Sequence, residues 1–183
     1  MRSDAQANRE KVLAAAEEVF GETGSTGSTE EIARRAGVGI GTVFRHFPTK
    51  QLLVEAAVVG HLTRLTDTVR ERIGGGEPGT AFRATFREMV SDAPAKLALV
   101  ALLEEPADPT DAPDDAEAAA SALRDAVGAL LSQGQDAGEV RADATVDDVY
   151  VLIGALVSAQ ADRTLVDRAV DIVLDGLSPR RSE

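Results

Sequence analysis

The sequence predicts an all-α protein of about nine helices, on three observations. Alanine is the commonest residue, and aromatic residues make up only 3% of the 183 residues. No segment alternates apolar and polar residues with the two-residue period of a strand. Apolar residues recur instead at the three- and four-residue spacing of a buried helical face. We therefore expect an N-terminal three-helix domain over residues 1–49 and a helical C-terminal domain over residues 50–183.

The N-terminal domain is predicted from one helix of ordinary length and two short ones. The first covers residues 7–21, where the apolar residues share one face. That face holds Val12, Leu13, Ala16, Val19 and Phe20. Ser28 and Glu31 form a capping-box pattern, and the short helix that it opens ends at Gly37. The second short helix covers residues 40–46.

A long helix follows from Lys50 towards Ile73, with Pro48 and Thr49 as its cap. The glycines of residues 74–79 end it. Its apolar side is predicted to hold Leu52, Leu53, Ala56, Val59, Leu62, Leu65 and Val69.

The remaining helices belong to the C-terminal domain. Pro94 is placed in a first helical turn, where a missing N–H costs nothing. Separate helices are therefore predicted over residues 80–92 and 94–105, before an acidic, proline-rich loop over residues 106–115. The last three predicted helices cover residues 114–136, 146–161 and 165–177.

Charge is distributed unevenly along the chain. The formal net charge is −12, which by itself argues against a nucleic-acid partner. Residues 1–61 carry 7 basic and 8 acidic side chains, so nearly all the acidity lies beyond residue 61. The N-terminal part can therefore approach a phosphate backbone, and the two parts are expected to have different roles.

Composition excludes several functional classes. Without cysteine the chain has no disulfide, no thiol nucleophile and no Cys-ligated zinc. The longest uncharged stretch, residues 149–161, is too short to span a membrane. The N-terminus lacks the apolar segment of a secretory signal, so we expect a cytoplasmic protein. His46 and His61 make no metal site, and the aspartates of residues 108–115 lack the EF-hand spacing. No cofactor and no enzymatic activity are expected.

The motif that carries function lies in residues 28–50, STEEIARRAGVGIGTVFRHFPTK. A short capped helix, a glycine turn and a second short helix form a helix-turn-helix. Gly37 supplies the left-handed turn conformation, while Val43 and Phe47 are assigned to the core. In such motifs the second helix enters the major groove of DNA and the first crosses the backbone.

These residues resemble the TetR (tetracycline-repressor-type) family of transcriptional regulators. The resemblance is carried by VLAAAEEVF, Gly24 and TEEIARRAGVGIGTVFRHFPTKQLLVEA, between Lys11 and Ala56, about a quarter of the chain. Two positions depart from the family pattern. Phe44 stands where a tyrosine is usual, and Gly39 stands where a serine would cap the second helix.

The outward face of the second short helix and the resemblance together predict the DNA contacts. Hydroxyl and basic groups suit phosphates or base edges, and Lys50 is implied to contact a phosphate. Phe44 could instead pack on the next helix, and His46 could be structural. The predicted DNA-binding residues are Thr29, Ile40, Gly41, Thr42, Phe44, Arg45, His46 and Lys50.

By resemblance, the C-terminal domain holds a small-molecule pocket and a dimer interface of two helices. For each predicted pocket residue, the alternative is that its side chain belongs to the hydrophobic core and contacts no ligand. The predicted pocket residues are Phe82, Arg83, Phe86, Arg87, Met89, Val100, Leu103 and Tyr150. The predicted interface residues are Val149, Ile153, Val157, Val166, Val170 and Val173.

The resemblance implies a ligand-responsive repressor that binds a palindromic operator as a homodimer. Its ligand is expected to be a small apolar or amphipathic molecule. The alternative is a helical small-molecule-binding or protein-interaction module without operator-specific DNA binding.

Overall fold

The computed structural model describes residues 2–23, 26–103, 114–159 and 161–179. These ranges contain eight α-helices and no strand, which confirms the predicted all-α class. The helices are α1 (Arg2–Thr23), α2 (Thr29–Ala36), α3 (Ile40–His46), α4 (Lys50–Ile73), α5 (Pro78–Leu103), α6 (Asp114–Asp136), α7 (Val146–Ser158) and α8 (Arg163–Gly176). The chain divides into two compact units. Unit 1 is Met1–Thr63 with Pro94–Ala120, and unit 2 is Arg64–Ala93 with Ser121–Glu183.

The two helices predicted over residues 80–92 and 94–105 are one helix, α5. The proline in the first turn is Pro78, which begins α5 and needs no N–H there. Pro94 lies in the helix interior, where proline removes a backbone hydrogen bond and its ring crowds the carbonyl four residues earlier, at a cost of about 3 kcal/mol. The alanines on both sides of Pro94 are the strongest helix formers, so the helix continues through this turn.

Unit 1 is built on the face of α1 that the sequence predicts. All five residues of that face are buried: Val12, Leu13, Ala16, Val19 and Phe20. Ile32 and Ala33 of α2 are buried as well, and Gly27 allows the loop before α2 to approach α1 closely. A Cβ at Gly27 would lie 2.8 Å from Cδ1 of Phe20.

The buried face of α4 differs from the predicted one by a fraction of a turn. Val54, Ala57 and Val58 are buried, whereas the predicted Leu52, Ala56 and Val59 are half-exposed. Leu53, Leu62, Leu65 and Val69 are buried as predicted. The sequence LLVEAAVV has apolar residues on both candidate faces, so spacing alone could not choose between them.

Unit 2 packs the second half of α4 with α5, α6, α7 and α8. Arg72 of α4 donates a 2.9 Å hydrogen bond to Oγ1 of Thr85 and forms a 2.6 Å ion pair with Glu88, both on α5. The Nε2 amide of Gln133 donates to the carbonyl of Ile73 over 2.8 Å. The unit's core includes Phe82, Phe86, Met89, Leu123, Val127, Leu130, Val149, Ile153, Val170 and Leu174.

No helix in the described part of the chain combines the length and apolar character that crossing a membrane requires.

Candidate nucleic-acid interface

The two ends of α2 are closed by caps that the sequence predicts. At the start of α2, the Ser28 hydroxyl accepts a 3.1 Å hydrogen bond from the Glu31 amide. At its end, Gly37 adopts φ 67° and ψ 32°, the left-handed conformation that favours glycine. The Val38 amide donates back to the Ala33 carbonyl over 3.0 Å. These bonds close the C-terminus of α2 and set the direction of α3.

One face of α3 is anchored in unit 1, and the opposite face is open. Val43 and the capping residue Phe47 are buried, as predicted for core residues. Ile40 and Phe44 are 39% and 46% exposed, which is unusual for large apolar side chains. Gly41 and Arg45 are also exposed, while Thr42 and His46 are half-buried. The open face therefore combines apolar, hydroxyl and basic groups.

Gly39 leaves α3 without a side-chain cap. Its carbonyl accepts hydrogen bonds from the amides of Thr42, over 2.8 Å, and Val43. The backbone alone therefore starts this seven-residue helix.

Thr29 and Lys50 each begin a helix. Thr29 is the first residue of α2 and is half-buried. The Thr49 hydroxyl caps α4 by accepting a 3.1 Å hydrogen bond from the Leu52 amide, as predicted. Lys50 is exposed, and its Nζ lies 5.6 Å from the centroid of the Phe20 ring. This cation–π contact restrains the ammonium group beside the helix start.

Acidic side chains around α2 are held by arginines. The Glu31 carboxylate accepts hydrogen bonds from Arg34, at 2.8 and 2.6 Å, and from Arg35, at 2.9 Å. Arg35 also donates to Glu22 of α1 at 2.9 and 2.6 Å. The hydrogen bonds from Arg34 and then Arg35 lower the pKa of Glu31 to about 2. The hydrogen bond from Arg35 also lowers the pKa of Glu22.

This network of carboxylates and arginines was not predicted from the sequence. The spacing of Glu31 to Arg34 and Arg35, three and four residues, could have indicated the pairs within α2. Glu22 is 13 residues from Arg35, so no local rule links them.

The geometry matches what reading a DNA groove requires. A short helix with one buried and one open face can enter the major groove, while the preceding helix lies across the backbone. On the open face, Arg45 has the donors for a guanine edge or a phosphate, and Phe44 offers apolar contact.

Both parts of the chain match models of one family of regulators. Residues 12–57 match the model described as bacterial regulatory proteins, tetR family. Residues 77–179, more than half of the chain, match the model described as transcriptional regulator SbtR-like, C-terminal domain. This chain belongs to the TetR family of transcriptional regulators. It is accordingly a DNA-binding regulator and not an enzyme.

Solved structures of TetR-family regulators resemble the whole chain. A TetR transcription regulatory protein from Mycobacterium vanbaalenii is 38% identical, covers 97% of this chain and 98% of its own, and gives a TM-score of 0.80. The TetR transcriptional regulator SCO0520 from Streptomyces coelicolor is 35% identical, with coverages of 94% and 99% and a TM-score of 0.83.

Similarity to curated TetR-like regulators is confined to shorter segments. The HTH-type transcriptional regulator SAR0097 of Staphylococcus aureus is 44% identical over 57 residues, which is 30% of each chain. The HTH-type transcriptional regulator UidR of Escherichia coli is 33% identical over 76 residues, or 41% of this chain and 39% of its own. The chain thus spans well under half the length of the curated relatives it matches.

Three of the predicted pocket residues lie in the core of unit 2. These are Phe82, Phe86 and Met89, which are buried. Arg83 donates to Ser178 Oγ and pairs with Asp175, and Arg87 pairs with Asp171 of α8 at 2.6 Å. These two arginines therefore fasten α5 to α8. The side chains of Val100 and Leu103 lie outside the described residues.

Tyr150 is the predicted pocket residue with an unexplained polar atom. Its hydroxyl is buried without a hydrogen-bond partner among the described residues. Burial raises the pKa of Tyr150. The guanidinium carbon of Arg124 lies 5.2 Å from the ring centroid, and Arg124 also forms an ion pair with Asp147.

The predicted interface residues fall into two groups. Val149, Ile153 and Val170 are buried within the single chain, in the core of unit 2. Val157, Val166 and Val173 are half-buried.

The open apolar surface of α7 and α8 consists of other residues. Val151 is 70% exposed, Ile172 is 66% exposed, and Leu165 is exposed as well. Val151 and Ile172 are not among the predicted interface residues. Apolar residues surround α7 on most sides, and spacing does not separate core from a second apolar face.

Proposed function

We propose that this TetR-family regulator is a ligand-responsive repressor that binds a palindromic operator as a homodimer. Residues 1–49 would bind DNA, and residues 50–183 would bind ligand and dimerise. The observation that carries the DNA-binding role is the open face of α3, anchored by Val43 and Phe47 on its other side.

The contacts follow from the chemistry of this face. Arg45 would pair with a guanine edge or a phosphate, and Phe44 would contact a thymine methyl or a sugar. Ile40 would add apolar contact, and Gly41 would let the α3 backbone approach the bases. His46 would contact the backbone of the duplex.

The groups at the helix starts would position the protein on the duplex. Lys50, restrained over the Phe20 ring, would contact a phosphate. The hydroxyls of Thr29 and Thr42 would contact phosphates or bases. Contacts of this kind fix register without reading sequence.

Dimerisation would use the apolar surface left open on α7 and α8. Val151, Gly154, Ala155 and Ser158 are exposed and spaced at three, four and seven residues, so they share one face of α7. Ile172 is an exposed apolar residue on α8. Small residues let a symmetry-related helix approach closely, and a two-fold axis is the commonest arrangement of homodimers. Val157, Val166 and Val173 would lie at the edge of this interface.

Ligand response would require two arrangements of the dimer. The DNA-bound form holds its recognition helices about 34–36 Å apart, one turn of DNA. A ligand that binds better to another arrangement shifts the population away from DNA. The helix α4 runs unbroken from Lys50 to Ile73, so it can carry a displacement along its length. We place this activity in the cytoplasm, where the operator is.

The test begins with selection of an operator from a random duplex library by the purified chain. Fluorescence anisotropy then measures affinity over a range of salt concentrations. Phosphate contacts make log affinity fall linearly with log salt. Lys50→Ala should weaken all sequences about equally and reduce the salt slope, whereas Arg45→Ala should also relax sequence preference.

A matched control removes an arginine away from the interface. Arg70 is exposed on α4 and pairs with Asp67 at 3.9 Å, so Arg70→Ala should leave operator affinity unchanged. Selection that yields no preferred sequence, with no salt dependence, would refute operator binding. In that case the helical binding module without operator recognition becomes the better description.

A further inference from the structure

A cavity of about 510 Å³ lies within unit 1 and is lined in part by the C-terminal end of α3. It is distinct from the predicted C-terminal pocket and shares none of its residues. Its walls come from α1, from the end of α3, from α4 and from the first turn of α6. The lining includes Leu13, Phe47, Leu52, Ala56 and Val59 as apolar residues, with Arg9, His46, Glu55, Gly60 and Asp115.

The size and apolar lining suit an organic molecule. Small-molecule sites commonly measure about 300–1,000 Å³, with a few polar groups to orient the ligand. Leu52, Ala56 and Val59 are the three α4 residues that the sequence placed in the core but that remain half-exposed. The cavity accounts for their exposure, because all three line it.

The charged residues of the lining favour a cation. The charged side chains that line the cavity are two carboxylates, of Glu55 and Asp115, and one guanidinium, that of Arg9. The guanidinium carbon of Arg9 lies 5.3 Å from the centroid of the Phe47 ring, so this ring already receives a positive charge. Carboxylates beside apolar side chains attract lipophilic cations and disfavour lipophilic anions.

We propose that this cavity binds a lipophilic organic monocation. Phe47 is the capping residue of α3, and Leu52 and Ala56 belong to α4. A ligand bound between these residues changes how α3 packs against α4. The changed packing lowers the affinity for the operator. This regulatory consequence rests on the proposed repressor function, whereas the binding site itself does not.

Two probes of the same shape and opposite charge test the site. Isothermal titration of the full chain, without DNA, is performed with tetraphenylphosphonium and separately with tetraphenylborate. We expect one tetraphenylphosphonium per chain, and binding of tetraphenylborate weaker by about tenfold or more. Equal or tighter binding of the borate, or no binding of the phosphonium up to about 1 mM, a weak-affinity limit, would overturn the proposal.

Substitutions locate the bound probe. Ala56→Leu adds bulk inside the cavity and should weaken phosphonium binding about tenfold or more. The matched control is Ala84→Leu, at an exposed position of α5 in unit 2, which should bind as the wild type does. Binding that survives Ala56→Leu in a chain with wild-type melting would place the probe elsewhere and refute the site.

Charge variants test the carboxylates. Glu55→Gln and Asp115→Asn should each weaken phosphonium binding by about threefold or more, since each removes one attractive charge. Glu71→Gln removes the same charge from an exposed position on α4 outside the cavity, and it should have no such effect. Equal loss in all three variants would indicate non-specific attraction to an acidic protein and would refute the assignment.

The regulatory consequence has its own readout. Phosphonium should release the wild type from the selected operator but not release Ala56→Leu. Operator binding that ignores a saturating phosphonium concentration refutes the link to DNA while titration still reports the site. A chain that binds phosphonium but no operator refutes the repressor function and leaves the site standing.

Discussion

Two glycines on either side of the turn between α2 and α3 are expected to respond to substitution in opposite directions. Gly37 has φ 67° and ψ 32°, whereas Gly39 has φ −71° and ψ 146°. A Cβ at either position would meet no atom within 4 Å. Steric clashes therefore do not distinguish the two positions. Backbone conformation and capping decide whether a substitution raises or lowers the free energy of unfolding.

The magnitudes follow from three effects. At Gly37, alanine must adopt the left-handed region at a cost of about 1–2 kcal/mol. At Gly39 serine fits the existing extended conformation, and loss of glycine's freedom in the unfolded chain stabilises by about 0.4–1 kcal/mol. The new hydroxyl caps α3 and adds a few tenths of a kcal/mol, about the difference between serine and glycine caps. We expect Gly37→Ala to destabilise and Gly39→Ser to stabilise, each by about 1 kcal/mol.

Urea and thermal unfolding of the full chain, followed by circular dichroism, measure both effects. A separation of about 2 kcal/mol corresponds to about 4–8 °C in melting temperature for a chain of this size. Gly39→Ala is the control, because it keeps the entropic gain without a capping side chain. Alanine is also a poorer N-cap than glycine, so Gly39→Ala should be clearly less stable than Gly39→Ser. A Gly37→Ala chain as stable as the wild type would refute the assigned turn conformation.

Three further substitutions examine other parts of the fold. The depressed pKa of Glu31 means that its carboxylate stabilises the fold fully above pH 4.5 and loses this effect as the pH falls towards about 2. The melting temperature of Glu31→Gln should therefore lie below that of the wild type at pH 7, and the difference should shrink towards pH 2; a constant difference would contradict this. Gly27→Ala places a Cβ 2.8 Å from Phe20 and should cost about 1–3 kcal/mol by overpacking, read as a lower melting temperature; an unchanged melting temperature would argue against that contact. Ile172→Asp should convert the proposed dimer to a monomer in sedimentation velocity, because it puts a charge in the proposed apolar interface; a dimer that persists in this variant would exclude that surface.

The sequence predicted best where apolar residues occupied only one face. The first helix, VLAAAEEVF, separates its apolar and acidic positions, and every residue assigned to its core is buried. The caps at Ser28, Gly37 and Thr49 were also predictable, because each depends on one or two local residues. Local chemistry of this kind determines the helix-turn-helix almost completely.

The sequence did not predict burial correctly where a helix has several apolar faces. It also did not predict contacts between residues that are far apart in the chain. In α7, Val149 and Val151 are two residues apart and equally apolar, yet one is buried and the other is 70% exposed. No periodicity distinguishes a residue that packs inside the chain from one available to a partner. Pro94 led to a wrong helix boundary for a different reason. Proline disfavours a helix interior without excluding it, and strong helix formers lie on both sides of Pro94.

The acidity of the chain is compatible with DNA binding because of where its charges are paired. Near the recognition helix, Glu22 and Glu31 are held by Arg35 and Arg34 through hydrogen bonds of 2.6–2.9 Å. These carboxylates present little field to an approaching phosphate, since each is neutralised by a guanidinium in direct contact. Arg45 lies on the open face of α3 and would attract a phosphate at short range. The repulsion from distant acidic residues is weaker, because salt screens charges that lie more than about 10 Å apart. The net charge of the whole chain determines the electrostatic potential only at long range. The affinity for DNA depends on the few charges within a Debye length of the duplex.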